Sequence, residues 1–238
     1  VCLPLFAVLV VMLAICPWLG WKGGLRNKVG AVTALGLFVG AAGGIWAAGY
    51  TIPTAVLGAA GAIAALGGIV MLLATEPHLR RSPQSLAAYG VHIGLALTAL
   101  GVAFSGPYKT EHEVIMQQGD TVQVAGYDVT FKALYEGEGP GYIFIEAELD
   151  VKKNGSDVGM AQPQRRIYSK FGKQAFAEAS TIPGLGNEFY AVLLGVDREG
   201  KATLHLNVTP LINWVWIGSI IMCLFPFIGM RRRKTAEA

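Results

Sequence analysis

The sequence predicts a polytopic α-helical membrane protein of about five transmembrane helices, with an all-β extracytoplasmic domain between the last two. Three observations carry that expectation. The chain of 238 residues is 53% hydrophobic and only 15% charged, with a mean hydropathy of +0.47, too apolar for an ordinary soluble domain. Five apolar stretches approach the roughly 20 residues that a helix needs to cross a bilayer. Charge is also segregated: residues 106–210 hold ten Lys/Arg and fourteen Asp/Glu, while the remainder holds nine and two. The chain therefore divides into helices over 1–105, a β domain over 106–210, and a last helix with a basic tail over 211–238.

The expected spans are Val1–Leu19, Val29–Tyr50, Pro53–Ala74, Leu86–Ser105 and Leu211–Met230. Each is read as a helix because backbone in lipid must satisfy its own hydrogen bonds. Orientation follows from the loops. The first carries Lys22, Arg26 and Lys28, the second (Thr51-Ile52) no charge, and the third Arg80 and Arg81 against Glu76; the tail reads Arg231-Arg232-Arg233-Lys234. The positive-inside bias places loops one and three and the tail in the cytoplasm, and so residues 106–210 outside. A positive excess confined to loops and a tail is membrane topology; it is not the basic face of a folded domain that nucleic acid requires. Val1 already lies in an apolar run, with no basic n-region or cleavage motif, so the sequence reads as a piece of a longer polytopic protein. Gly36, Gly40 and Gly44, then Gly58, Gly61, Ala62 and Ala65, give four-residue spacings suited to close helix packing. Trp214 and Trp216 fit an interfacial belt at the outer end of the last span.

Between Gly106 and Pro210 the pattern is that of strands. Tyr142–Val151 ends in alternation, Glu146, Glu148 and Asp150 outward and Ala147, Leu149 and Val151 inward. Asn154-Gly155 marks a hairpin turn, and Asp197–Lys201 a second. Ala202, Leu204, Leu206 and Val208 form another inward face. Six to eight strands in a small sandwich or open barrel are expected.

Few residues carry chemistry. Cys2, Cys16 and Cys223 lie in apolar runs without metal-ligand spacing. No nucleophile–base pair, carboxylate pair, phosphate loop or zinc pattern stands out, and the Asp and Glu residues of the domain read as a solvated face. Arg165-Arg166, on an expected strand Gln164–Phe171, read as solvated too, with carboxylate binding as the alternative. His78, His112 and His205 are expected at solvated positions. His92 differs, because mid-helix in lipid there is no solvated face and an intramembrane ionisable residue is a functional candidate by default. Its neighbours Ala88, Tyr89, Leu95 and Ala96, with Gly90 and Gly94 beside it, form a small, mostly apolar wall against which a porphyrin could lie. Imidazole is a common axial ligand of haem iron. The residues alone leave open haem ligation or a hydrogen bond to a neighbouring helix.

In order along the chain, four stretches resemble the C-terminal part of the CcmF family, the large membrane subunit of the bacterial system I cytochrome c haem lyase, and its NrfE-like relatives. They are Ile15-Cys16-Pro17-Trp18-Leu19-Gly20-Trp21; the helix Tyr89-Gly90-Val91-His92-Ile93-Gly94-Leu95-Ala96; Pro163-Gln164-Arg165-Arg166-Ile167-Tyr168 with Ala177-Glu178-Ala179 and Phe189-Tyr190-Ala191-Val192-Leu193; and Pro210-Leu211-Ile212-Asn213-Trp214-Val215-Trp216-Ile217-Gly218. The resemblance implies that His92 is one axial ligand of a stable haem b, which reduces incoming haem before thioether attachment to apocytochrome c. It also implies a multi-pass protein of the bacterial inner membrane, with a periplasmic β domain and a cytoplasmic C-terminus. The implied partners are the N-terminal half of the haem lyase, on the same or a separate chain, a haem chaperone, and apocytochrome c with its thiol-reducing partner. The family's tryptophan-rich segment, its outer-facing histidines and the second haem b ligand have no counterpart in this sequence. The alternative is a non-enzymatic, membrane-anchored periplasmic module that docks partner proteins.

Overall fold

A computed structural model describes residues 2–18, 27–171 and 174–230. Lys22, Arg26, Gly20-Trp21 and the basic tail fall outside the described residues. The chain forms two compact units, Tyr108–Pro210 and the helices on either side of it.

The helical unit consists of α1 (Cys2–Ile15), α2 (Lys28–Ala47), α3 (Pro53–Thr75), α4 (Pro77–Arg81), α5 (Pro83–Ser105) and α6 (Ile212–Gly229). Local chemistry sets the starts. Asn27 Oδ1 accepts from Gly30 N at 3.1 Å at the head of α2. Proline occupies the first turn of α3, α4 and α5, where a missing N–H costs nothing. Ser82 Oγ accepts from Ser85 N at the head of α5. Among the described residues four helices, α2, α3, α5 and α6, are long and apolar enough to cross a membrane. The expected first span is shorter than its apolar run: α1 has 14 residues and gives way to a single 3-10 turn, Cys16–Trp18, at the Cys-Pro-Trp sequence. The third loop is also partly helical, as α4 carries the exposed Arg80 and Arg81.

Small residues explain the packing of α3. Gly58 faces the Ala103 methyl group, and a Cβ on Gly61 would lie 3.1 Å from Val10 Cγ1, so α3 sits close to both α5 and α1. Trp18 is buried, its ring lying against Gly30 and Gly68. Gly36, Gly40 and Gly44 of α2, by contrast, have no described atom within 4 Å of a Cβ position, so that part of the packing expectation is unmet among the described residues.

The second unit is a β-sandwich. Its strands are β1 (Thr110–Met116), β2 (Thr121–Val124), β3 (Tyr127–Gly139), β4 (Tyr142–Lys153), β5 (Ser156–Ala161), β6 (Gln164–Tyr168), β7 (Ala175–Glu178), β8 (Ser180–Ile182), β9 (Asn187–Val196) and β10 (Ala202–Pro210). A four-stranded sheet runs β1-β10-β9-β8, and a six-stranded sheet runs β2-β3-β4-β6-β7 with β5 also paired to β4. Every pairing is antiparallel. Among the described residues ten strands replace the six to eight expected, because β2, β7 and β8 are only three or four residues long and too short to show alternation. The strand expected over Gln164–Phe171 stops at Tyr168 and ends in a 3-10 turn.

The core fills the space between the sheets: Val129, Phe131, Ala147, Leu149 and Val151 from one, Phe189, Ala191, Leu193, Leu204 and Leu206 from the other. Asn154 and Gly155 have φ of 51° and 76°, the positive pair that a type I′ turn requires, and join β4 to β5. At the β9–β10 turn Asp197 Oδ1 accepts from the backbone N–H groups of Glu199 and Lys201.

One irregularity redirects a whole face. In the β3–β4 ladder Phe131 pairs with Leu149 but Ala133 pairs with Glu148. Lys132 is thus the extra residue of a β-bulge. A one-residue insertion inverts the faces of everything beyond it, so Leu134, Glu136 and Glu138 share the inward face with Val129 and Phe131.

Candidate functional site

His92 is the tenth residue of α5. At 1.5 Å of rise per residue it lies about 14 Å from the start of the helix, well inside a hydrocarbon layer of roughly 30 Å. Its Nδ1 is 2.6 Å from the carbonyl oxygen of Ala88, one turn back. A carbonyl only accepts, so Nδ1 carries the proton and donates. With the Nδ1 position taken by that bond, Nε2 is the nitrogen left to act as a ligand. That arrangement, one ring nitrogen anchored to a carbonyl and the other free, is the one that orients histidine as a metal ligand. The Tyr89 ring stands 6.5 Å from the imidazole between centroids, tilted by 51°. His92 is half-buried and Ala88 exposed, so the site lies on an open flank of α5.

The faces on either side of that flank are occupied. Ala96 packs in a cluster with Leu13, Ala14, Ala64 and Ala65, and Ala99 packs with Val10 and Ala62. Gly90, Gly94 and Gly101 face α6: a Cβ on Gly90 would overlap the Phe225 ring, and one on Gly94 would lie 2.6 Å from the Gly218 carbonyl oxygen. Gly90 and Gly94, the glycines flanking His92, are therefore covered by another helix. The flank that remains for a ligand is that of His92 and Ala88. If a haem is bound at this flank, His92 is the residue that would hold its iron. The described residues contain no group of three or more metal-ligating side chains, and the other histidines lie elsewhere.

His78 is exposed on α4, with Nδ1 3.3 Å from Glu76 Oε2. His112 is exposed on β1, and His205 alternates with the buried Leu204 and Leu206, opposite Glu113. Cys16 and Cys223 are free thiols. The arginine pair splits across β6. Arg166 Nε donates to Gln164 Oε1 at 2.8 Å, Nη1 lies 3.6 Å from Glu178, and the guanidinium sits 4.8 Å from the Tyr142 ring centre. The side-chain hydrogen bond with Tyr168, opposed in part by burial and aided by Tyr142 and Glu178, raises its pKa above the usual arginine value. Arg166 is thus already engaged rather than free for an incoming carboxylate, whereas Arg165 lies on the opposite, inward face.

Residues 107–210 match the family model described as "CcmF C-terminal beta-sandwich". Over 143 residues the chain is 31% identical to the cytochrome c-type biogenesis protein CcmF of Haemophilus influenzae, covering 60% of this chain and 22% of that protein. It is 26% identical over 233 residues to the CcmF of Pseudomonas aeruginosa, covering 93% of this chain and 35% of the relative. The chain thus spans about a third or less of the length of these relatives. A solved structure titled "Cytochrome c Heme Lyase CcmF" superposes with a TM-score of 0.81 at 21% identity, over 97% of this chain and 39% of that one; at that identity the likeness establishes the fold. In sequence and fold, the chain corresponds to the C-terminal part of a CcmF-type protein.

Proposed function

We propose that the chain is the C-terminal portion of a membrane haem lyase for c-type cytochrome maturation, and that His92 supplies one axial ligand of a stable haem b. The observation that carries this reading is the 2.6 Å bond from His92 Nδ1 to the Ala88 carbonyl, which fixes the ring and leaves Nε2 available on an open helix flank. When bound, such a haem supplies a one-electron carrier for reducing incoming haem before thioether attachment to apocytochrome c. The work of the residues present is to hold and orient. Ala88 aims the imidazole, and α6 and α3, packed on the two sides, keep α5 in place. The other ligand to that iron would come from the N-terminal half of the lyase. A haem chaperone delivers substrate, and apocytochrome c arrives with its thiol-reducing partner.

The same reading places helices 1–105 and 211–238 in the bacterial inner membrane, the 106–210 domain in the periplasm and the C-terminus in the cytoplasm. An alkaline phosphatase fusion at Lys109 is expected to be active, and a cytoplasm-only reporter at the same position silent; the opposite pair of results overturns the orientation. For the function itself, His92→Ala in the full-length protein is expected to abolish accumulation of covalent c-type haem, read by haem staining of denatured cell extracts. Wild-type levels of c-type cytochrome in that variant would refute it.

A further inference from the structure

The inward face of the six-stranded sheet is sealed at Val129, Phe131, Leu149 and Val151 and opens towards the β3–β4 turn, where Ile143 is 51% exposed. A cavity of about 470 Å³ lies there, lined by Glu136, Glu138, Ile143, Ile145, Arg165 and Ile167. That volume is in the range of real ligand sites. The ladder registers define its layout. One rung runs Glu136–Ile145–Arg165 and the next runs Glu138–Ile143–Ile167. Carboxylates therefore form one rim, isoleucines the floor, and a guanidinium the far rim, two strands or about 10 Å away.

None of these three charged side chains makes an ion pair or a side-chain hydrogen bond among the described residues, whereas Arg166, Glu146 and Glu178 beside them are all engaged. Glu136 and Glu138 face this cavity only because of the bulge at Lys132; with regular alternation they would point to the outer face. Exposed apolar surface rimmed by unpaired charge is the mark of an interaction site. The groove is open and follows the two-residue repeat of a strand, which matches an extended polypeptide rather than a compact ligand.

We propose that this groove docks an extended segment of a partner protein carrying apolar, basic and apolar side chains at positions i, i+2 and i+4. The basic side chain sits between Glu136 and Glu138, and the apolar ones lie on Ile143, Ile145 and Ile167. Arg165 at the far rim repels a second cation, so the segment carries one basic side chain in the groove and no more. The surplus of four acidic groups across residues 106–210 favours approach of a basic partner over an acidic one.

The test uses the full chain in nanodiscs of neutral phosphatidylcholine and a fluorescein-labelled peptide, Gly-Ser-Val-Ser-Lys-Ser-Val-Ser-Gly amide, read by fluorescence anisotropy. Binding is expected to weaken about fivefold or more in the double variant Glu136→Gln/Glu138→Gln, which is the scale of partly exposed charge pairs. Ile143→Ser is expected to weaken it comparably, and Glu148→Gln, on the outer face, to leave it unchanged. A peptide with Glu in place of Lys should not bind. Equal binding of the two peptides, or unaltered binding by the double variant and by Ile143→Ser, overturns the proposal.

Discussion

Gly94→Leu is expected to force α5 and α6 apart and to deplete folded protein in the membrane. A Cβ on Gly94 would stand 2.6 Å from the Gly218 carbonyl oxygen, 2.7 Å from Met222 Cγ and 3.0 Å from Met222 N. Two of those three atoms are backbone, which cannot swing aside as a side chain can. The approach is reciprocal, since a Cβ on Gly218 would overlap the Gly94 carbonyl oxygen. In lipid no hydrophobic driving force holds two helices together, so association depends on such close packing. Overpacking of a tight core costs about 1–3 kcal/mol, and a leucine against backbone belongs at the top of that range. His92 lies two residues away on the same helix, so its ring moves with the displaced segment. The thermal midpoint of detergent-solubilised protein checks this: a fall of several degrees is expected, and an unchanged midpoint would show that the helices are not held at this crossing.

Phe131→Ala acts on the other unit. Phe131 is fully buried between the two sheets, immediately before the bulge. Deleting a buried phenylalanine ring costs about 3–5 kcal/mol, a large share of the roughly 5–15 kcal/mol that holds a domain together. The expected result is a fall in melting temperature of about 12 °C or more for a domain of this size. Rapid proteolysis within residues 106–210 at temperatures where the wild type resists is expected as well. A shift of only a degree or two would mean that the inward face is less tightly packed than the burial of Phe131, Leu149 and Phe189 indicates.

What could be read from the sequence follows from how local each signal is. The alternation from Glu146 to Val151 and the Asn154-Gly155 turn are properties of neighbouring residues, and the structure reproduces both. Mid-helix His92 stood out for the same reason: a titratable side chain among aliphatic ones needs no tertiary knowledge to notice. The face presented by Glu136 and Glu138 was not legible. It depends on an extra residue at Lys132 that no local pattern marks, and a single inserted residue converts two expected surface acids into the rim of a groove. The cover over Gly90 and Gly94 was not legible for a different reason. Glycines in a membrane helix signal that something approaches closely, but the sequence does not say whether a helix or a flat ligand does; here it is α6. The three- and four-residue strands escaped because alternation needs more length to show.

In the proposed function His92 Nε2 reaches haem iron, and replacing the ligand tests this more directly than deleting it. The measurement is the reduced and oxidised absorption spectrum of the purified full-length complex carrying His92→Cys or His92→Ala, compared with the wild type. The expected results are a b-type Soret band in the wild type, a shifted spectrum with cysteine in the ligand position, and loss of the low-spin signal with alanine. A b-type spectrum that is identical in all three proteins would contradict it.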